Sequence, residues 1–375
     1  MRILHCFRSP VGGIFRHVRD LAEEHAKAGH QVGILCDSTT GGAYEDALFE
    51  SIMPHLALGL TRIPIHRSLG VSDITTAFKS FSEIKNLQPD VLHGHGAKGG
   101  AFVRLAGSRL RVSRYSVARF YSPHGGSLHY NEKTLRGQAY FAIERLLERW
   151  TDSLVFVSDY ERRAYEEKIG LPRASWRLIH NGLRAHEFGS VQNDPDAVDF
   201  LYIGMMRNLK GPDVFIESLR RAEQLAGKPL RGVMVGDGED KPRYQAMLDV
   251  LGMGDRVKMR DAMPARDAFA LARTVVIPSR AESMPYIVLE AVAAGKPVIS
   301  TEVGGIPEIL GPGFAGFVPP GDIEALACAM AHTIADPRWL PEAMPEMDSF
   351  RERFSAQTMA DSMSTLYQDC LNREP

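Results

Sequence analysis

Two carboxylates, Glu282 and Glu290, lie around a predicted helix start and could accept hydrogen bonds from the hydroxyls of a sugar. Ser283 is suited to cap that helix, Pro285 to its first turn and Gly295 to its end. The free N–H groups of a helix start favour a phosphate, or a hydroxyl-rich ring attached to one. A loop cap at Glu282 and a solvated helix residue at Glu290 would fit the same spacing equally well.

Two cations, Arg207 and Lys210, follow a predicted strand in a loop bounded by glycines. Arginine as a planar fork and lysine as a point charge could together hold a diphosphate at that strand end. A solvated basic turn would have the same composition. Gly236 follows the next predicted strand, in a Val-Gly-Asp-Gly turn where backbone groups could face a nucleobase.

The first predicted strand leads into another glycine turn, Gly12 and Gly13, which opens a helix and lets a ligand approach the backbone. Such a pair is more often only a turn. The segment also lacks the GxGxxG spacing of a dinucleotide site, which argues against NAD or FAD.

Three histidines lie at the ends of predicted strands. His93 and His95 have the HxH spacing of some metal sites, but no cysteine or acidic cluster lies nearby in sequence, so no metal is predicted. His124 is followed by two glycines that leave room for a ligand, and it could donate to a sugar hydroxyl or stabilise charge. A structural turn histidine is the alternative.

These residues lie in a regular alternation of short β-rich runs and helical patterns, which indicates an α/β fold with parallel sheets. One series of predicted strands is 2–7, 31–37, 90–95, 116–122, 153–158 and 176–179, and the other is 199–203, 231–235, 256–259, 274–278 and 297–301. Helical patterns include 18–28, 134–150 and 355–371. A polar stretch at 189–196 separates the two series, so we expect two doubly wound domains with a ligand cleft at their strand ends.

Composition narrows the class of protein. A chain of 375 residues with a net charge of −2 and 24% charged residues is long enough for two cores and gives no reason to expect nucleic acid. Its 4 cysteines are widely spaced, so neither zinc nor disulfides are indicated and the reducing cytoplasm is the expected location. The apolar run at 3–7 is too short for a signal peptide, and no uncharged stretch is long enough to span a membrane.

The motifs, taken in order, resemble those of the GT-B glycosyltransferases of family 4. The resemblance rests on the glycine pair at 12–13, His-Gly after a central strand, Gly-x5-Lys-Gly at 204–211, Val-Gly-Asp-Gly at 235–238, Glu-x7-Glu at 282–290 and Gly-Gly-Ile-Pro-Glu at 304–308. It implies two Rossmann-like domains facing a central cleft: an acceptor-binding domain at 1–188 and a nucleotide-sugar-binding domain at 189–350. A C-terminal helical segment at 351–375 would cross back to the first domain.

The resemblance also implies a role for each motif. Glu282 would contact the hydroxyls of the donor sugar and Glu290 the ribose, while Arg207 and Lys210 would neutralise the diphosphate leaving group. Similar enzymes often carry arginine directly after the first glycine of the Gly-x5-Lys-Gly motif. That position is Met205 here, so Arg207 is expected to substitute.

The remaining positions would line the same site. The predicted catalytic set is Glu282, His124, Lys210 and Arg207. The predicted donor-binding set adds Gly13, Gly236, Ser283, Met284, Pro285, Tyr286 and Glu290. Gly12 and His95 are predicted to lie on the acceptor side.

The chemistry implied is transfer of a sugar from a UDP- or GDP-linked donor, with retention, to a saccharide or lipid-linked acceptor in cell-envelope, exopolysaccharide or lipopolysaccharide synthesis. Front-face displacement would need no covalent nucleophile, metal or cofactor, since the nucleotide sugar is itself a substrate. The Asp-x-Asp at 194–196 lies in the predicted linker and is interpreted as a turn. The alternatives are a retaining glycoside hydrolase with two carboxylates, a nucleotide-sugar epimerase, and a non-catalytic binding subunit.

A basic segment in the predicted acceptor domain bears on the acceptor. Residues 104–119 contain five arginines and no Asp or Glu. Such a segment could rest on an anionic lipid surface at the inner face of the cytoplasmic membrane. A solvated helix and loop would explain it equally well.

Overall fold

A computed structural model describes residues 1–66, 72–112 and 117–372. The chain divides into two compact units. The first joins Met1–Gly182 to Phe354–Pro375, and the second is Leu183–Arg353. Residues 183–188, predicted with the first domain, and 351–353, predicted with the C-terminal segment, therefore group with the second unit.

The first unit contains a seven-stranded parallel sheet. Its strands are β1 (Arg2–Phe7), β2 (Gln31–Asp37), β3 (Gly59–Ile63), β4 (Val91–His95), β5 (Ala118–Ser122), β6 (Ser153–Phe156) and β7 (Ser175–Leu178). Their order across the sheet is β3-β2-β1-β4-β5-β6-β7. The sequence predicts six of them and misses β3, because Thr61 and Arg62 interrupt its apolar run.

Six helices connect these strands. They are α1 (Gly13–Lys27), α2 (Ala43–Ile52), α3 (Ser72–Leu87), α4 (Gly96–Val112), α5 (Leu135–Leu147) and α6 (Asp159–Lys168). Helix α1 begins at Gly13, five residues before the start predicted from its apolar pattern. Phe15 already belongs to its buried face, but the polar Arg16 and His17 hide that periodicity in the sequence.

The second unit contains a six-stranded parallel sheet in the order β10-β9-β8-β11-β12-β13. Its strands are β8 (Val198–Ile203), β9 (Gly232–Val235), β10 (Val257–Arg260), β11 (Ala272–Ile277), β12 (Val298–Thr301) and β13 (Phe317–Val318). Its helices are α7 (Pro212–Ala226), α8 (Lys241–Val250), α9 (Ala265–Ala270), α10 (Tyr286–Ala293), α11 (Ile306–Leu310), α12 (Ile323–Ala335), α13 (Trp339–Ala343) and α14 (Met347–Phe354). Strand β13 has two residues, too few to give a pattern in the sequence.

The last helix, α15 (Ala356–Leu371), belongs to the core of the first unit. Ser355 caps it by accepting a hydrogen bond from the Thr358 N–H at 3.1 Å. Its buried Met363 and Tyr367 pack in one apolar cluster with Ile3 of β1 and neighbouring strand residues. Parallel strands are buried on both faces, and α15 supplies part of that cover. None of the described helices is long and apolar enough to cross a membrane.

Candidate active site

The strand order of each unit reverses at one point, between β1 and β4 in the first unit and between β8 and β11 in the second. Loops leaving the carboxyl ends of the two strands diverge at such a point and open a crevice for a ligand. In the second unit those loops carry Lys210 and Glu282. In the first unit the chain leaving β1 leads to Gly12, and β4 ends at His95.

Lys210, Glu282 and Ser279 form a polar cluster at the reversal point of the second unit. The Lys210 ammonium donates to Glu282 Oε1, and the Ser279 hydroxyl donates to the same oxygen at 2.7 Å. Glu282 is buried, so its carboxylate depends on these partners. An ammonium has three N–H donors and this contact uses one, so Lys210 can hold Glu282 and bind an anion at the same time.

Arg280 fixes the loop after β11 against the loop after β8. Its guanidinium meets the Asp213 carboxylate at 2.9 and 2.6 Å and donates to the Asn208 carbonyl at 2.6 Å. Its backbone N–H donates to the Leu209 carbonyl at 2.8 Å. Burial alone would raise the pKa of Asp213, but the hydrogen bonds and charge of Arg280 outweigh it and hold that pKa below its ordinary value. This pair therefore sets the position of Lys210 relative to Glu282.

Glycines allow the backbone of these loops to pack together. Gly304, at φ +63°, approaches the Glu282 carbonyl so closely that an added Cβ would lie 1.9 Å from its oxygen. At Gly236, which has φ +147°, an added Cβ would lie 1.9 Å from the Gly204 carbonyl oxygen. No other residue type fits either position. Gly236 thus joins the loops after β8 and β9, whereas Gly304 supports the backbone of Glu282.

The helix predicted after Glu282 starts two positions later than expected. Helix α10 begins at Tyr286, and Pro285 occupies its N-cap with ψ 123° and no side-chain hydrogen bond. The prediction of Ser283 as cap and Pro285 in the first turn is therefore wrong. The loop after β12 holds Ser283 instead, because its carbonyl accepts the Gly305 N–H at 2.7 Å.

The other predicted donor-side residues lie on the same loops and helix. Arg207 is exposed, and its carbonyl accepts the Lys210 N–H at 2.9 Å, which closes the turn that carries both cations. Met284 is buried beside the start of α10, and Glu290 is half-buried within that helix. The structure brings Lys210 into contact with Glu282 and leaves Arg207 facing solvent on the same turn.

In the first unit, Gly12 and Gly13 form an open helix start. Gly12 has φ +75° and precedes α1, and Gly13 is the first residue of that helix. Both are exposed, and nothing lies within 4 Å of the position that a Cβ of Gly12 would take. The first amides of this fifteen-residue helix are therefore accessible to a ligand.

A histidine cluster lies beside that helix start. Its members are His5 on β1, His17 on α1, His93 and His95 on β4, and His124 after β5. His95 is central, because its Nε2 lies 3.0 Å from His5 Nδ1 and its Nδ1 lies 3.0 Å from His124 Nε2. His17 packs edge-on against His124, with ring centroids 4.7 Å apart, and its Nδ1 lies 3.0 Å from Asn181 Oδ1.

His93 lies in a structural environment. Its Nδ1 lies 2.6 Å from the Tyr367 hydroxyl of α15, and its Nε2 lies 2.8 Å from the Ser122 hydroxyl. It stacks on His95 with ring centroids 4.1 Å apart. Both ring nitrogens of His93 thus have hydrogen-bond partners within the protein, so this residue supports the cluster rather than facing a ligand.

Burial is the main cause that lowers the pKa of every member of the histidine cluster. The pKa of His17 falls to about 4, and those of the other four fall well below the ordinary value, with neighbouring imidazoles adding to the effect. The rings are therefore neutral at pH 7. A neutral imidazole has one N–H and one lone pair, so hydrogen bonds along His5, His95 and His124 must all run in the same direction.

His5 lies at the buried end of the row formed by His5, His95 and His124, and its environment sets the direction of the hydrogen bonds. His5 Nε2 is buried and has no partner among the described residues. A buried N–H without an acceptor is rarer than a buried acceptor without a donor, so His5 donates through Nδ1 to His95, which donates through Nδ1 to His124. His124 then carries its own proton on Nδ1. This residue has φ +51°, a conformation rare outside glycine, which places the ring at the end of the row.

Two groups of three histidines bring their nitrogens within 4.8 Å of one another, namely His5, His93 and His95, and His17, His95 and His124. Imidazoles alone could hold zinc. However, neither group includes a carboxylate or thiolate to compensate a dication in this desolvated region. Hydrogen bonds between neutral rings already account for the short nitrogen–nitrogen distances. The absence of a resident metal stays a prediction.

The basic segment 104–119 is not the surface that its composition suggests. Arg104 is fully buried and pairs with Glu144 at 2.8 Å. Arg119 is also buried and pairs with Asp152 at 3.1 Å. These two arginines are therefore not available to a lipid surface, and membrane contact of the segment stays a prediction. Arg109 is exposed, while Arg114 and the side chain of Arg111 lie outside the described residues.

Two Rossmann-like units with polar and glycine-rich loops at their strand ends define the GT-B class of glycosyltransferases. The Anabaena protein HepE in complex with UDP-glucose has this fold, with a TM-score of 0.78 at 17% identity over 98% of this chain and 100% of that one.

Sequence comparison gives the family. The profile described as Glycosyltransferase Family 4 matches residues 11–187, and that described as Glycosyl transferases group 1 matches residues 197–336. D-inositol 3-phosphate glycosyltransferase of Thermobifida fusca is 26% identical over 306 residues, which cover 76% of this chain and 70% of that one. Glycogen synthase of Mycobacterium tuberculosis H37Rv is 25% identical over 397 aligned positions, covering 95% and 91%. The chain belongs to the family 4 glycosyltransferases and is an enzyme of the GT-B type.

Proposed function

We propose that this glycosyltransferase moves a sugar from a UDP- or GDP-linked donor to a saccharide or lipid-linked acceptor, with retention at the anomeric carbon. The proposed pathway is the synthesis of an envelope polysaccharide or lipopolysaccharide. The observation that carries the proposal is the contact of Lys210 with Glu282 at the reversal point of the second sheet. A cation and a buried carboxylate held together there suit a ligand that is both anionic and rich in hydroxyls.

In the proposed step, the acceptor hydroxyl attacks the anomeric carbon from the face on which the diphosphate leaves. A bond forms between that carbon and the acceptor oxygen as the bond to the phosphate oxygen breaks, and the hydroxyl proton passes to the departing phosphate. Lys210 neutralises the negative charge that grows on the diphosphate, and Arg207 adds a second cation. Glu282 accepts from donor hydroxyls and acts by orientation, while Glu290 holds the ribose.

The first unit supplies the acceptor side in this proposal. The open amides at Gly12 and Gly13 approach polar groups of the substrates, and His124 donates its Nδ1–H to a sugar hydroxyl. His95 acts through His124 by fixing its tautomer. A base at His124 would require the opposite direction of hydrogen bonding along the row, so the direction derived above favours a mechanism in which the phosphate takes the proton.

The test is thermal stabilisation of the purified protein by UDP, GDP and ADP and their common sugar conjugates, each with and without EDTA. Binding to the folded state raises the midpoint of unfolding, so one nucleotide series should give a clear shift that survives EDTA. A shift lost in EDTA would contradict the metal-free mechanism. No shift with any nucleotide would favour the glycoside hydrolase.

Lys210→Ala is the matching variant, and Lys228→Ala, at an exposed position of the same unit, is its control. We expect Lys210→Ala to abolish turnover and weaken nucleotide binding in a folded protein, whereas Lys228→Ala should behave as wild type. A folded Lys210→Ala protein with the wild-type rate would contradict the diphosphate assignment.

A further inference from the structure

Helix α5 of the first unit presents an apolar stripe to solvent. Leu135 is 86% exposed, Ile143 42% and Leu146 48%, and Ala139 and Ala142 are exposed between them. At about 3.6 residues per turn these five positions lie on one side of the helix. The opposite side is buried and holds Gly137, Phe141, Glu144 and Leu147. A helix on the surface of a soluble domain normally turns its apolar side inward, so this second apolar side is unusual.

Arginines border the stripe on both sides. Arg136 and Arg149 are exposed and Arg145 is partly exposed. The two acidic residues of the segment, Glu144 and Glu148, are buried, and each pairs with an arginine at 2.8 Å. Every exposed charge between residues 135 and 150 is therefore positive.

The surface continues beyond α5. Arg145 donates to the carbonyl of Leu171 at 2.8 Å, which places that leucine beside the helix, where it is 72% exposed. At the other end the Arg136 guanidinium lies over the stacked rings of Tyr130 and Tyr140. Aromatic rings with a polar tip are suited to the boundary between lipid and water.

We propose that this face, made by Leu135, Arg136, Ile143, Leu146, Arg149 and Leu171, docks on an anionic lipid bilayer. Apolar side chains on one line would enter the headgroup region while the flanking arginines meet lipid phosphates. A second copy of the chain fits less well, because a two-fold contact would bring identical basic rims together. The face replaces the buried arginines of the segment 104–119 as the membrane-contacting surface.

This inference deepens the membrane contact expected for a lipid-linked acceptor, and in that respect it rests on the proposed function. Vesicle binding needs neither donor nor turnover, so the two can fail separately. A chain that binds vesicles but no nucleotide would contradict only the donor proposal. A chain that binds nucleotide but no vesicles would contradict only the docking proposal.

The experiment is co-sedimentation of the full chain with vesicles of phosphatidylcholine alone and of phosphatidylcholine mixed with phosphatidylglycerol. We expect binding to the anionic vesicles and little to the neutral ones. The double variant Leu135→Ser/Leu146→Ser should bind at least tenfold more weakly. Val250→Ser is the control, because Val250 is 86% exposed in the second unit and lies outside the proposed face.

The charge component has its own variants. Arg136→Glu with Arg149→Glu should weaken binding to anionic vesicles by roughly fivefold or more for each arginine. Arg163→Glu, at an exposed arginine of α6, should leave binding unchanged. Equal binding to neutral and anionic vesicles, or wild-type binding by the folded leucine variants, would overturn the proposal. A dimer that the leucine variants abolish would assign the face to a second copy and overturn it as well.

Discussion

Acid should unfold the first unit before the second. Burial lowers the pKa of the half-buried His30 and of six more deeply buried histidines of the first unit, namely His5, His17, His25, His93, His95 and His124. Below an ordinary histidine pKa of about 6.5 the unfolded chain binds a proton at each position and the folded chain does not. Stability therefore falls as the pH falls from that value towards the folded pKa, which is about 4 for His17.

The expected loss is large. Between pH ~7.5 and pH ~5.5 each histidine that stays neutral in the folded state removes about 1.4 kcal/mol, and six together set a ceiling of about 8 kcal/mol. A domain is commonly stable by about 5–15 kcal/mol, so the first unit should approach its unfolding transition in this range. His17 alone should remove about 3 kcal/mol by the time the pH reaches its folded pKa.

Hydrogen exchange read by mass spectrometry can follow the two units separately within the intact chain. Peptides from β4 and β5 should lose protection as the pH falls, after correction for intrinsic exchange, while peptides from β8 and β11 should keep it. The described histidines of the second unit, His186 and His332, are exposed, which makes that unit an internal reference.

Single substitutions sharpen the test. His17→Gln removes one titrating ring and keeps an amide that can meet Asn181, so the first unit should lose about 1.4 kcal/mol less stability over the same range. His332→Gln should change nothing. Equal loss of protection in both units, or identical pH profiles for the two variants, would refute the reasoning from buried neutral imidazoles.

Two further changes test the loops of the second unit. Arg280→Ala removes the guanidinium that pairs with Asp213, so the free energy of unfolding of that unit should fall by about 1–2 kcal/mol. Nucleotide-induced stabilisation should also shrink, and thermal unfolding measures both effects. Full nucleotide binding by this variant would contradict the role given to the loop contact. Gly304→Ala forces the backbone of Glu282 to move and should abolish nucleotide binding in the folded protein, whereas Gly311→Ala, at φ +92° with no atom near the added Cβ, should cost only about 1–2 kcal/mol of stability. Equal nucleotide binding by the two alanine variants would show that the close approach at Gly304 is not needed.

The fold was predictable because its main features are periodic. The buried parallel strand β9, for example, is a short continuous apolar run, and the glycine turn at Gly236 marks its end. Elements whose apolar pattern is broken were missed or misplaced: β3 contains Thr61 and Arg62, and the start of α1 contains Arg16 and His17. In each case the local pattern is ambiguous and contacts distant in sequence decide the structure.

Much less of the site could be predicted. Lys210 and Glu282 stand out as a motif, but Arg280 does not, because its partners Asn208 and Asp213 are distant in sequence and only the fold brings them together. His17 and Asn181, 164 residues apart in sequence, meet for the same reason. The sequence also cannot distinguish Arg104, buried against a carboxylate, from an arginine in solvent.

Helix α15 has a consequence for synthesis of the protein. The first unit is interrupted in sequence, because the whole of Leu183–Arg353 is translated before the helix that completes its core. His93 and Phe120 lack their partner Tyr367 until then. On the ribosome the second unit can therefore finish folding while the apolar surface of the first unit that α15 covers is still exposed. The usual order, in which the N-terminal domain matures first, is reversed, and the waiting intermediate is the stage at which chaperones would be needed.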